Sequence, residues 1–263
     1  MESMYAHLFS STSVNKNLPP STLIESIYWH RNYMPLWEFH WARLCISAAI
    51  QGWEGLMMPE KDMLALIEHA TNACSFNTLK VRLEIKLTDL GSLKASVSIE
   101  DWHYATFHKK PMVLDTYAID SVFENNNAKS QRALLAYASS KKYAVSKGVL
   151  DVILYNTEKQ IIDTTLANVF LIRDGVIYTN SLKTGALAGV MRAKLLTLGS
   201  VLHYDILERD VLTLDEVHAA DGIFLTNAVR GIMPVAQIGT LAYNLRETLA
   251  VQQEIVQKIF TLA

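Results

Sequence analysis

The chain has 263 residues, half of them hydrophobic and 19% charged, with a formal net charge of −2. That length and apolar content allow a sizeable buried core and exclude a disordered chain. The near-neutral balance gives no electrostatic footprint for nucleic acid or an anionic membrane, so small molecules are the expected partners.

In chain order, Leu23 to Trp29 reads as the first strand, rich in bulky and β-branched residues, and His30 to Pro35 as a turn. Leu36 to Ile50 has a helical pattern, with Leu36, Phe39, Arg43, Ile46 and Ile50 at three- and four-residue spacing. A second helix is expected over Glu60 to Cys74, then strands at Leu79 to Leu87 and Ser92 to Glu100 joined through Asp89-Leu90-Gly91, and a further strand at Pro111 to Tyr117. Asp120 to Asn127 has the asparagine-rich composition of a linker. This divides the chain into an N-terminal α+β domain over 1–122, a linker over 123–128 and a C-terminal mixed-sheet domain over 129–263.

Beyond it, Ser130 to Lys147 reads as one helix closed by Gly148. Strands follow at Leu150 to Tyr155, Ile161 to Asp163, Val169 to Ile172 and Val176 to Tyr178. A helix at Val190 to Leu198, strands near Val201 to Leu207 and at Ile223 to Thr226, and a helix at Leu245 to Phe260 complete the series. Helices and strands mix without strict alternation, which makes the fold class α+β (mixed α/β).

Cys45 and Cys74 form no CxxC pair, so the expectation is a reducing, cytoplasmic setting without a disulfide framework. Met1 to Lys16 lacks the basic start and apolar run of a secretory leader. The longest uncharged stretch, Gly231 to Leu245, is too short and too interrupted by Gly231, Pro234 and Gly239 to span a bilayer.

No GxSxG elbow or Walker loop is present, and the histidines lack the spacing of a helical zinc site, so no metal is expected. What stands out is an ordered series: His40-Trp-Ala-Arg43-Leu44, Lys129, Gly148, Asp163-Thr-Thr-Leu-Ala-Asn168, Leu187-Ala-Gly189-Val-Met-Arg192, and Thr226-Asn227-Ala228 leading to Met233-Pro234-Val235. Lys129 lies 34 residues ahead of Asp163. In order and separation the series resembles the fold type IV pyridoxal-phosphate enzymes (the class IV aminotransferase family), across roughly Leu23 to Val235. That family includes branched-chain aminotransferases, D-amino-acid aminotransferases and aminodeoxychorismate lyases.

The resemblance implies a two-domain architecture like that of D-amino-acid aminotransferase, with pyridoxal 5'-phosphate bound between the domains and two chains in a homodimer. It implies Lys129 as the catalytic Schiff-base lysine, a primary amine able to be neutral and to shuttle protons. It assigns Asp163 to the pyridine nitrogen, where the family more often has glutamate. Arg43, the backbone N–H groups of Val190 and Met191 behind Gly189, and the Asn227-Ala228 turn fall to the phosphate. Read singly, Lys129 could as well begin a helix in water, Asp163 cap its own turn, and Arg43 make a surface pair. Tyr28, Arg82 and Arg132 are candidates for the carboxylate-binding side of the pocket; Tyr28 could equally be a packed strand residue and Arg82 a cross-strand ion-pair partner.

The glycines that usually precede the family's first strand are absent, although Glu25 and Ser26 are retained. Leu134 stands where branched-chain aminotransferases have a cofactor-touching tyrosine, and Met191 where aminotransferases often have a phosphate-binding threonine. The motifs around Gly189 and Asn227 look closest to aminodeoxychorismate lyases. The resemblance thus implies a lyase releasing pyruvate from 4-amino-4-deoxychorismate to give 4-aminobenzoate for folate biosynthesis. A transaminase of branched-chain or D-amino acids, and a non-catalytic relative acting as a binding protein, are the alternatives.

Overall fold

A computed structural model describes residues 21–102, 110–119, 128–199 and 204–260. Strand β1 (Leu23–His30) leads through a turn to helices α1 (Trp37–Ile50) and α2 (Glu60–Asn72), followed by strands β2 (Thr78–Leu87) and β3 (Leu93–Asp101). These strands form an antiparallel three-stranded sheet in the order β1-β2-β3. β2 alternates strictly: Leu79, Val81, Leu83 and Ile85 are buried, and the residues between them face the other side. The apolar face packs with Leu23 and Ile27 of β1 against Leu44 and Ala48 of α1 and Met63 and Ile67 of α2. Burial of these side chains holds the first layer together, each contributing about 1.5–3 kcal/mol before entropy is counted.

The second layer is a nine-stranded sheet in the order β6-β5-β4-β11-β10-β7-β8-β9, with β12 off the path on β11. Its members are β4 (Met112–Ala118), β5 (Asp151–Tyr155), β6 (Ile161–Thr164), β7 (Asn168–Arg173), β8 (Val176–Asn180), β9 (Asp205–Arg209), β10 (Gly222–Asn227), β11 (Gly231–Ile238) and β12 (Leu241–Ala242). The β4–β5, β4–β11 and β8–β9 pairs are parallel and the other pairs antiparallel. Helices α3 (Gln131–Ala136), α4 (Ala138–Lys147), α5 (Val190–Leu198), α6 (Leu214–His218) and α7 (Arg246–Ile259) complete the fold. One core joins Phe39 and Ala42 of α1 to α5, α7 and the inner strands. No helix among the described residues is long and apolar enough to cross a membrane.

The mixed α+β composition agrees with the sequence, and the differences are local. The single helix expected over Ser130 to Lys147 is broken at Tyr137, which turns inward and is buried while Leu135 before it is exposed. Gly148 closes α4 in the left-handed conformation at φ 68°, the role expected of it. β11 was not expected: no element is assigned from sequence to the uncharged segment with Pro234, yet it lies at the centre of the large sheet between β4 and β10. Proline is tolerated there because Pro234 pairs only with Phe224 of β10, while the ladder to β4 begins one residue later at Val235. By strand pairing, the chain passes from one sheet to the other between β3 and β4, ahead of the expected linker. Most of that linker, and the start of the strand expected near Val201, lie outside the described residues.

Candidate active site

A cavity of about 280 Å³ opens where the two sheets meet. Lys129 reaches it from a short extended segment pinned to the edge of β1: the Ile24 N–H donates to the Lys129 carbonyl at 2.9 Å, and the Gln131 N–H donates to the Thr22 carbonyl at 2.9 Å. Backbone pairing on both sides thus fixes where the lysine leaves the main chain. Its side chain lines the cavity and keeps partial exposure. Burial by the surrounding protein, with the charge of Arg43 adding to it and Glu25 opposing, lowers the ammonium from 10.5 to about 7. A substantial fraction of this amine is therefore neutral, and able to form or accept a bond, near neutral pH.

At one end of the cavity, Arg43 of α1 is buried in a polar cluster. Its Nε donates to Glu25 Oε1 at 2.8 Å, its Nη2 donates to Glu25 Oε2, and its Nη1 donates to the Ala188 carbonyl at 2.9 Å. His40, one helical turn earlier, places Nδ1 2.7 Å from Glu25 Oε2. Burial alone would raise the Glu25 pKa, but the Arg43 charge and the His40 hydrogen bond overcome it and bring the carboxyl down to about 2. His40 is itself lowered by burial, against the pull of Glu25. The bond to Ala188 ties Arg43 to the segment before α5, whose N-cap Gly189 has no side chain to cap the first-turn N–H groups. Gly189 and Val190 line the cavity, as do Thr226, Asn227 and Ala228. The buried Thr226 Oγ1 has no partner among the described residues. A guanidinium, open helix N–H groups and a hydroxyl converge here, a donor set suited to a phosphate dianion.

On another wall, β6 carries Asp163, paired with Leu154 of β5. Its Oδ2 accepts from Asn168 Nδ2 at 3.1 Å and from the Leu187 N–H at 3.2 Å, while its buried Oδ1 has no partner among the described residues. Burial raises this carboxyl well above its ordinary range, opposed by the Leu187 and Thr164 N–H groups. Such a group gains most from a ligand that brings it a positively charged N–H. The β6–β7 turn that follows is anchored by the buried Asp151, whose Oδ1 accepts from Thr165 Oγ1 at 2.7 Å and the Thr165 N–H at 3.1 Å. Asn168 Nδ2 also donates to the Leu187 carbonyl at 2.8 Å, so one amide links the carboxylate wall to the Gly189 end. An amine of lowered pKa, a buried acceptor without a partner and a glycine-lined anion cradle around one cavity fit pyridoxal phosphate.

Of the residues named from sequence, Arg43, Arg82, Lys129, Asp163, Val190, Asn227 and Ala228 share this cavity. Met191 does not line it; its side chain is fully buried in the core, which leaves its backbone N–H as its only means of reaching a phosphate. Asn227 uses its side chain to build the β10–β11 turn, its Oδ1 accepting from the Arg230 N–H at 2.7 Å. Tyr28 does not line the cavity either. Its ring packs edge-on against Phe260 at 5.6 Å and clusters with Trp102 and Val229, which do form the wall. Arg82 pairs with Glu84 of its own strand at 2.6 Å, and with no acid of a neighbouring strand among the described residues. Arg132 belongs to α3, and its side chain lies outside the described residues.

Sequence reasoning gave no role to Lys80, Trp102, Tyr137, Lys141, Thr226 and Arg230, all on the cavity wall. The period of two that puts Lys80 beside Arg82, and the helical spacing from Tyr137 to Lys141, were the available signals.

The Glu25–Arg43 pair carries a stability prediction. Arg43→Ala leaves a buried carboxylate uncompensated and should cost roughly 3–5 kcal/mol, read from urea unfolding at pH 7. The Glu25 carboxyl titrates lower in the folded chain than its ordinary 4.5, so its contribution is complete above pH 4.5 and is lost as pH falls towards 2. The difference between wild type and Arg43→Ala should therefore shrink in acid; a gap unchanged from pH 7 to pH 3 would contradict the pairing.

The profile of the family described as amino-transferase class IV matches residues 22–238. The chain is 31% identical over 111 residues to a branched-chain-amino-acid aminotransferase of Pseudomonas aeruginosa, an alignment covering 42% of this chain and 36% of the relative. It spans about a third of the length of the first curated relatives it matches. A putative aminodeoxychorismate lyase of Schizosaccharomyces pombe is 28% identical over 199 residues, covering 73% of this chain and 80% of the relative. Among solved structures, the pyridoxal-phosphate-bound form of a hypothetical aminotransferase from Mycobacterium tuberculosis superposes with a TM-score of 0.79 at 17% identity, covering 91% of this chain and 89% of that one. At that identity the likeness shows the fold.

Proposed function

Because the chain belongs to the amino-transferase class IV family of pyridoxal-phosphate enzymes, we propose that it is a lyase converting 4-amino-4-deoxychorismate to 4-aminobenzoate and pyruvate. The observation that carries this reading is Lys129, an amine lowered to about 7 in a cavity it shares with Arg43, Asp163 and the start of α5. The lyase branch is supported by the S. pombe relative, whose alignment covers most of both chains. It is also supported by Leu134, an apolar residue on the cavity wall at the position where the resemblance to branched-chain aminotransferases would lead one to expect a tyrosine.

In this reading Arg43, Thr226 Oγ1 and the N–H groups of Val190 and Met191 would hold the cofactor phosphate, and Lys129 would bind its aldehyde carbon. Asp163 Oδ1 would accept the N–H of the protonated pyridine nitrogen. The bound cofactor supplies an electron-withdrawing ring conjugated with the substrate's nitrogen. With the substrate in place, the Lys129 amine would remove the proton from the carbon of the substrate ring that bears the amino group. The electrons of that C–H bond enter the ring, the C–O bond to the enolpyruvyl group breaks, and the departing group gains a proton to become pyruvate. No oxidant is consumed, and the gain of aromaticity makes the step downhill. The protein's tasks are orientation and proton transfer.

Folate biosynthesis, a cytoplasmic setting and a two-chain assembly belong to the same proposal. The deciding measurement supplies 4-amino-4-deoxychorismate to cofactor-loaded protein and quantifies both products. Equimolar pyruvate and 4-aminobenzoate are expected; loaded protein that releases neither rejects the lyase. The P. aeruginosa relative favours a transaminase as the second reading. Loss of the lysine-bound cofactor's absorbance on adding branched-chain amino acids, with no pyruvate formed from the lyase substrate, would select it.

A further inference from the structure

The cavity wall carries more positive charge than phosphate binding uses. Besides Arg43 and Lys129 it includes Lys80, Arg82, Lys141 and Arg230, against Asp163 as the acidic residue among its described lining. Two of these cations differ from the rest in what already occupies them. Lys80 is engaged, its Nζ 2.9 Å from Glu100 Oε2 and 5.3 Å from the centre of the Trp102 ring. Among the described residues Arg82 bonds through Nε, which donates to Glu84 Oε1 at 2.6 Å; this bond orients the guanidinium and leaves its terminal amino groups to form a fork. Lys141 enters from α4, half-buried, with no ion pair among the described residues.

We propose that Arg82 and Lys141 are two separate anchors for a substrate with two carboxylates, and that they select such substrates over amino acids with an apolar side chain. This rests on reading the cavity as the substrate site. The anchors enter the cavity from different elements, β2 and α4, and each is assigned one carboxylate. A branched aliphatic side chain would leave the Lys141 ammonium without a counter-charge and the terminal amino groups of Arg82 without an acceptor, and that penalty provides discrimination.

The test uses the cofactor-loaded protein and two unreactive probes, benzoate and isophthalate, each followed through its perturbation of the cofactor absorbance. Wild type should bind isophthalate about tenfold or more tighter than benzoate. Arg82→Gln and Lys141→Gln should each reduce that preference to within about threefold. Each should leave benzoate nearly unchanged, because one carboxylate can use either anchor. Lys86→Gln, on the same face of β2 but beyond this cavity, should keep the full preference. Equal binding of the two probes by wild type, or equal weakening of both by the variants, overturns the proposal. If Arg82→Gln fails to fold, Arg82→Lys and Lys141→Gln still decide it. Selectivity for isophthalate without pyruvate release would keep the anchors and remove the lyase. Pyruvate release at wild-type KM by both variants would keep the lyase and remove the anchors.

Discussion

Lys129→Ala should eliminate turnover, by roughly 10⁴-fold or more, because it removes both the covalent attachment point and the base. The same protein should fail to develop the absorbance of lysine-bound cofactor, yet keep its secondary structure, since Lys129 contributes its backbone and not its side chain to the pairing with β1. Wild-type apoprotein provides a second readout. Reductive trapping of pyridoxal phosphate on Lys129 requires the neutral amine, so its rate should rise with pH and reach half its maximum near 7, where an exposed lysine would still be protonated. The sign of the stability effect follows as well. The unfolded chain binds this proton up to about 10.5 and the folded chain only to about 7, so wild-type stability should gain from this group as pH rises between those values. Lys129→Ala should lack that gain. Retained cofactor colour in the variant would remove Lys129 from the chemistry.

How far the sequence led can be judged from particular residues. α2 and β2 were legible because each sets its apolar positions against a single core face, β2 in alternation, whereas β1 was legible from its bulky and β-branched residues although both of its faces are buried. β11 was not, since a strand buried deep in the sheet has no polar face to create a period and its proline argues against a ladder. The break at Tyr137 also left no trace, because neither glycine nor proline marks it. For the site, Lys129, Asp163, Arg43 and Gly189 were reached through their order along the chain. Their convergence depends on contacts between distant segments, such as Arg43 with Ala188 and Asn168 with Leu187. The partner of Arg43 was hidden for the same reason: Glu25 lies on a strand that otherwise reads as apolar, and only the approach of α1 to β1 shows why an acid is buried there.

That dependence makes Gly189 the most informative position away from the lysine. A Cβ at this position would lie 1.7 Å from Asn168 Oδ1 and 2.9 Å from its Cγ, so alanine cannot enter without displacing the amide. Backbone conformation is not the obstacle, because φ of −72° suits any residue. Asn168 is held by Asp163 and by the Leu187 carbonyl, and moving it would loosen the carboxylate wall and the start of α5 together. Gly189→Ala should therefore weaken pyridoxal phosphate binding by about tenfold to a hundredfold, the equivalent of the 1–3 kcal/mol that overpacking commonly costs. Asn168→Ala in the same chain removes the clashing oxygen and should restore part of the affinity lost to Gly189→Ala, although by itself it should bind the cofactor less well than wild type. Equilibrium titration of apoprotein with the cofactor measures all three variants. Independent, additive losses would mean that the glycine and the amide do not share one space, and that the cradle at α5 is built separately from the wall that holds Asp163.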